Sequence, residues 1–148
     1  HFKIIILNTR HVGLVVEDLE KSIKFYEALG LTVWKRQIES GSFISTVVGI
    51  DNVEIETAKL KVSDQSIIEL LEYKSHKTKK TAEYYSSNKH GCSHVSFTVK
   101  NLDDISGKII TLGGSIINLP CITDDGVFKV MYCHDLDGII IELVEELK

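Results

Sequence analysis

Four residues of this 148-residue chain have the types and spacing to do chemistry together: His11, Glu69, His94 and Glu142. His11 sits in the run Arg10-His11-Val12-Gly13-Leu14-Val15-Val16, which returns as Ser93-His94-Val95-Ser96-Phe97-Thr98-Val99. His94 follows His11 by 83 residues (94 − 11), and the same offset carries Val16 onto Val99, Leu19 onto Leu102 and Gly30 onto Gly113. Ile67-Ile68-Glu69-Leu70-Leu71-Glu72 likewise reappears as Ile140-Ile141-Glu142-Leu143-Val144-Glu145. Each of the four has apolar neighbours, where a lone charge is costly unless it is paired or bound to a cation. Two imidazoles and two carboxylates suit a six-coordinate divalent metal such as Mn, Fe, Co, Ni or Zn, with two positions left for water or substrate. A metal held so would polarise a bound carbonyl or stabilise an enediolate. Taken singly, a strand histidine is ordinarily a hydrogen-bonded structural residue and a strand glutamate an ordinary wet-face residue. It is the repetition of both at one register that makes them a candidate set.

These side chains need strands to present them. Residues 10–16 are rich in β-branched residues, as a strand requires. Asp18 then offers an N-cap, and Leu19, Ile23, Tyr26 and Leu29 trace a helical face that Gly30 ends. Leu31 to Ser40 is strand-like, and Phe43 to Ile50 reads as a short helix or an irregular segment. Val53 to Val62 alternates as a strand with Ile55 and Leu60 as its bulky members. After a turn at Asp64-Gln65, Ile67 to Tyr73 returns. The second copy repeats the order. Val95 to Val99 is a strand, Leu102 to Leu112 a helix ended by Gly113-Gly114, and Ser115 to Leu119 a strand ended by Pro120. Val127 to Cys133 and Ile139 to Val144 close it, with tight turns at Asp124-Asp125-Gly126 and Asp135 to Gly138. Two βαβββ modules follow, residues 8–73 and 93–148, within a single domain, 1–148. The polar linker 74–92 between them has one helical turn expected around Ala82 to Tyr85. Lys3-Ile4-Ile5-Ile6-Leu7 is expected as a short extra edge element. If the modules' sheets face one another, a histidine and a glutamate from each converge.

Hydrophobic residues make up 43% of the chain, enough for a packed interior, and the net charge of −4 weighs against a nucleic-acid partner. No apolar run approaches the roughly 20 residues that span a bilayer. His1 in place of Met reads as a trimmed start. Cys92, Cys121 and Cys133 are odd in number and lack C-x-x-C spacing, so they read as buried small side chains in a reducing, cytoplasmic compartment. His76 and His90 fall in the linker and should be exposed. His134, beside the last turn, is a further residue that could face a pocket. Tyr73, Phe43 and Phe128 are candidate pocket walls, with plain core as the simpler reading. The linker's Lys74, Lys77, Lys79 and Lys80 read as a solvated surface, with a lid over an anionic substrate as the sharper alternative.

The run His11-Val-Gly-Leu-Val-Val-x-Asp-Leu-x-x-Ser-x-x-Phe-Tyr-x-x-Leu-Gly-Leu resembles the opening of the vicinal oxygen chelate superfamily. That group includes glyoxalase I, methylmalonyl-CoA epimerase, extradiol dioxygenases and fosfomycin resistance proteins. Asp135-Leu-Asp-Gly-Ile-Ile-Ile-Glu142-Leu is similar to the family's closing hairpin, with Leu136 where Pro is common. The resemblance covers nearly the whole chain. It implies an α+β fold in which paired βαβββ modules form an open, cup-shaped mixed sheet with helices outside, around a metal held by His11, Glu69, His94 and Glu142. It also implies a small-molecule substrate and pairing into a homodimer. The four-ligand set resembles the isomerase and lyase branch. There Glu142 or Glu69 would serve as general base for proton transfer next to a metal-bound carbonyl, Glu142 being preferred because epimerase-like relatives tolerate an amide at the position matching Glu69. Two alternatives stand beside it: extradiol cleavage by Fe(II), for which His11, His94 and Glu142 would form a facial triad, and a non-catalytic binder of the resistance type.

Overall fold

The computed structural model of the chain describes residues 3–79 and 85–148. The fold is α+β, and the chain divides into two compact units, His1–Thr78 and Lys79–Lys148, each with its own open sheet.

In the first unit, β1 (Val12–Val15), α1 (Leu19–Ala28), β2 (Thr32–Ser40), α2 (Ser42–Val48), β3 (Glu54–Lys61) and β4 (Ile67–Tyr73) follow in order. The sheet order is β1-β4-β3-β2, with β1 parallel to β4 and the other pairs antiparallel. Alternation along β4 sends Ile68, Leu70 and Glu72 to the buried side and Ile67, Glu69, Leu71 and Tyr73 to the more open one. Helix α1 meets the sheet through Leu19, Ile23 and Tyr26, as their spacing requires, and through Phe25 as well. Asp18 caps it by accepting from the Lys21 amide at 3.0 Å. At its other end Gly30 has φ of 106°. The Leu31 amide reaches the Tyr26 carbonyl and the Gly30 amide the Glu27 carbonyl, the paired bonds of a Schellman ending.

The second unit holds β5 (Val95–Thr98), α3 (Leu102–Thr111), β6 (Ser115–Ile116), β7 (Cys121–Ile122), β8 (Phe128–His134) and β9 (Ile140–Glu146). The sheet order is β5-β9-β8-β6, with β7 also on β8. Leu102, Ile109, Met131 and Ile140 are fully buried in its core. The helix ending is repeated: the Gly114 amide reaches the Ile109 carbonyl and the Gly113 amide that of Ile110. Gly114 also lies so close to β8 that a Cβ there would stand 2.5 Å from the His134 carbonyl oxygen.

Three expectations need correction. Residues 3–7 form no strand, and Ile4, Ile5, Ile6 and Leu7 are exposed. The strand expected over Ser115 to Leu119 is only two residues long, because the Asn118 side chain takes over the pairing. Its Oδ1 accepts from the Tyr132 amide at 2.8 Å, and its Nδ2 donates to the Leu119 and Val130 carbonyls. Of the cysteines only Cys133 is buried, its thiol pushed up to about 12 by burial and by the neighbouring Asp135 charge, while Cys92 and Cys121 are exposed. The helical turn expected around Ala82 lies outside the described residues. No helix among the described residues is long and apolar enough to cross a membrane.

Candidate functional site: two histidine–glutamate pairs

Register builds a histidine–glutamate pair in each unit. In the first, Gly13 of β1 stands opposite Glu69 of β4. His11 precedes Gly13 by two residues and so points to the same face. Its Nε2 lies 3.4 Å from Glu69 Oε1. In the second, Ser96 of β5 stands opposite Glu142 of β9, and His94 precedes Ser96 by two residues. His94 Nε2 lies 3.5 Å from Glu142 Oε1. The residue beside each glutamate is small, Gly13 or Ser96. Both histidines stand one residue ahead of their strands rather than within them.

A serine fixes the orientation of His94. Ser93 Oγ donates to the Ser87 carbonyl at 2.8 Å, so its remaining lone pairs accept from His94 Nδ1 at 3.0 Å. With Nδ1 assigned as the donor, the Nε2 of a neutral ring presents a lone pair toward the Glu142 carboxylate. Two such donors close together invite a cation, and ligands at adjacent positions about 2.1 Å from a metal lie about 3 Å apart. The 3.4 Å and 3.5 Å separations are near that value. Each pair therefore has donor chemistry and spacing that fit a divalent ion. Outer hydrogen bonds like that from His94 Nδ1 to Ser93 are what hold a ligating imidazole in one tautomer. Among the described residues no three His, Cys, Asp or Glu side chains gather into one metal-type group, so each pair stands as a two-donor unit.

The two pairs differ in the residue beside them. The residue opposite Glu69 across β3–β4 is Lys59, whose Nζ lies 4.0 Å from Glu69 Oε2. The residue opposite Glu142 across β8–β9 is Tyr132, whose hydroxyl lies 3.5 Å from His94 Nε2. The tyrosine and histidine rings also pack, with centroids 5.0 Å apart. Burial, and then the Glu142 charge, raise the Tyr132 phenol above its ordinary value, so it stays a hydrogen-bond donor. Neither Lys59 nor Tyr132 stood out in the sequence, because cross-strand partners are visible only once the register is known.

The second glutamate of each repeated run works on the opposite side of the sheet. Glu72 Oε1 accepts from the Leu19 amide at 2.8 Å, and Glu145 Oε1 from the Leu102 amide at 2.6 Å. Each carboxylate thus meets the first amide of a helix, where the partial positive charge favours an anion. Around Glu72, Lys74 bridges to Glu56, and Arg36 joins Glu56 to Glu20.

The remaining candidates fall elsewhere. His134 is buried; its Nδ1 pairs with Ser115 Oγ at 2.9 Å and its Nε2 with the Tyr85 carbonyl at 3.0 Å, a structural clamp on the chain before β5. His76 and His90 are exposed, as expected. Phe43 is exposed on α2 rather than core, Phe128 borders solvent at the start of β8, and Tyr73 is half-buried at the end of β4. A shallow groove lined by Ser40, Ser45, Asp51 and Glu54 contains none of the four candidate ligands.

Comparisons with known proteins bear on the family and the fold. The family model described as Glyoxalase/Bleomycin resistance protein/Dioxygenase superfamily matches residues 10–117. A protein of Synechocystis sp. named probable lactoylglutathione lyase is 29% identical over 137 residues, covering 91% of this chain and 92% of its own. A crystal structure of a glyoxalase family protein from Bacillus cereus superposes with a TM-score of 0.90 at 27% identity, covering 99% of this chain and 98% of its own. A fosfomycin resistance protein from Listeria monocytogenes, solved with Mn(II) and sulfate, shares the fold with a TM-score of 0.62 at 15% identity, covering 95% of this chain and 93% of its own.

Proposed function

This chain belongs to the Glyoxalase/Bleomycin resistance protein/Dioxygenase superfamily, and from that membership and the paired sites we propose that it is a metal-dependent lyase or isomerase of the glyoxalase I type. In this reading His11 and Glu69 from the first module and His94 and Glu142 from the second hold one divalent ion. The carrying observation is the recurrence of a histidine–glutamate pair at the same strand register in both modules. The relative named probable lactoylglutathione lyase supports the lyase half of the reading.

A bound divalent ion would supply the electrophilic pull on a substrate carbonyl oxygen. The chain's own groups would do the proton work. Glu142 is the preferred base: its cross-strand neighbour is a phenol, whereas that of Glu69 is an ammonium, whose charge favours the unprotonated carboxylate. A carboxylate within reach of the carbon next to the carbonyl takes the proton and returns it on the other side of the bond. The Tyr132 hydroxyl, held beside His94, is a donor for oxygen on the substrate.

The test has two parts. Elemental analysis of purified protein should find about one divalent ion per set of four ligands. It should be lost from His11→Ala and from His94→Ala, and full retention in both variants would refute the ligand assignment. Metal-loaded protein in heavy water, given α-hydroxy-carbonyl compounds, hemithioacetals or 2-methyl acyl thioesters, should place deuterium at the α-carbon of one class without oxygen uptake. Glu142→Gln should abolish the exchange. Catechol cleavage with oxygen consumption and no exchange would replace this reading with a dioxygenase. Tight binding of a small molecule with neither reaction would replace it with a binding protein.

A further inference from the structure

Lys59 is a part of the site that a metal alone does not explain. A divalent ion gains from imidazole and carboxylate donors and is repelled by an ammonium. Yet Lys59 stands directly opposite Glu69 across β3–β4, and the two glutamate oxygens are divided between His11 and Lys59. The matching place in the second module holds the uncharged Tyr132. The same face carries further positive charge. Lys35 is the cross-strand partner of Lys59 in β2, and Lys61 follows Lys59 by two residues, with its ammonium over the Trp34 ring at 4.5 Å from the centroid. Paired residues share a face, and so do residues two apart on a strand. Three lysines therefore share the face that carries Glu69, with Lys59 nearest to it and Glu39 at the far end of β2. By contrast, the opposite face at Glu72 balances Arg36, Lys74 and Lys77 against Glu20, Glu56 and Glu72.

We propose that Lys59, backed by Lys35 and Lys61, forms an anion subsite in the first module, and that the substrate is a small anion whose carboxylate or phosphonate pairs with the Lys59 ammonium while a neighbouring oxygen faces Glu69 and His11. This deepens the lyase or isomerase reading and rests on its placement of the site at Glu69. Lys59 is partly buried along its stem, with its side chain 26% exposed. Its ammonium is thus held at the sheet surface rather than swinging in solvent. Like charges on opposed strands repel, so Lys35 and Lys59 gain from an anion placed between them. A cation beside the carboxylate would strengthen the same attraction.

The test titrates glycolate, and separately its neutral analogue glycolamide, into wild type, Lys59→Met and Lys59→Arg, each with and without Zn(II). Binding is read by NMR, and zinc content is measured on the same samples. Glycolate should bind wild type more tightly than glycolamide. Lys59→Met should lose about five- to tenfold in glycolate affinity, with glycolamide unchanged and zinc retained. Lys59→Arg should recover most of the loss. Equal binding of the two ligands to wild type, or an unchanged glycolate preference in Lys59→Met, overturns the subsite. If no variant or wild type retains zinc, the metal reading fails; a glycolate preference that still depends on Lys59 in the metal-free protein then leaves the subsite standing. Overlapping melting curves of the three proteins show that the loss is not one of folding.

Discussion

Replacing Glu72 tests the claim that the second glutamate of the repeated run is a helix anchor and not part of the site. Glu72 is 8% exposed. Burial alone would raise its carboxyl, but the Lys74 ammonium at 2.5 Å and the Leu19 amide outweigh burial and hold it below the ordinary 4.5. Glu72→Ala removes one charge-assisted hydrogen bond to a buried helix amide, worth about 1.5–3 kcal/mol. The lysine pairing adds little, because Lys74 is exposed. A loss of about 2 kcal/mol follows, equivalent to about 4–8 °C in Tm for a chain of this size. Glu72→Gln keeps an acceptor for the Leu19 amide and should lose about half as much. The pH dependence has a definite sign. A carboxyl whose folded pKa is lowered contributes stability above its unfolded value, 4.5, and loses it as the pH falls through the folded value. The gap between wild type and Glu72→Gln in urea or thermal unfolding should therefore narrow as the pH is lowered below 4.5. Glu72→Ala within about 0.5 kcal/mol of wild type, or a gap to Glu72→Gln that is constant with pH, would refute the reasoning. Zinc content should be unchanged in both variants.

Three further outcomes are expected. Ser93→Ala removes the acceptor that fixes His94 Nδ1; metal affinity measured by chelator competition should fall about tenfold or more, and an unchanged affinity would count against His94 as a ligand through Nε2. Gly114→Ala places a Cβ against the His134 carbonyl; it should lower the unfolding midpoint clearly, whereas Gly107→Ala, with open space around it, should raise or preserve it. The exposed apolar residues Ile4 to Leu7, Ile38 and Phe43 lead us to expect a homodimer; a monomeric mass by light scattering at micromolar concentration would exclude it.

The repeat made most of this architecture readable in the chain. Leu19, Ile23 and Tyr26 at helical spacing, Gly30 and Gly113 as helix endings, and the alternation of Ile67 to Tyr73 each carry local information, and each element formed where that information placed it. The errors came where a distant contact decides. Asn118 ends β6 by bonding to β8, a choice that depends on what lies beside it. Ile4 to Leu7 has strand-forming residues and no strand to pair with. At the site, His11, Glu69, His94 and Glu142 stood out as a set repeated in type and register, while their division into two histidine–glutamate pairs came from the strand pairing. Lys59 and Tyr132 did not stand out, because neither repeats and each reaches the site only across a strand pairing.

The spacing of the two glutamates in each closing strand limits how these modules can change. Glu69 and Glu72 are three residues apart, an odd number, so one strand presents one carboxylate to the candidate site and the other to the helix. Glu142 and Glu145 do the same in the second module. Deleting or inserting a single residue between them would turn both carboxylates to one face and leave the other with none. The turns that precede β4 and β9 can lengthen or shorten freely by comparison. Drift in this chain should therefore collect as length changes at the hairpin turns, while the Glu-x-x-Glu interval stays fixed, since the helix start depends on it.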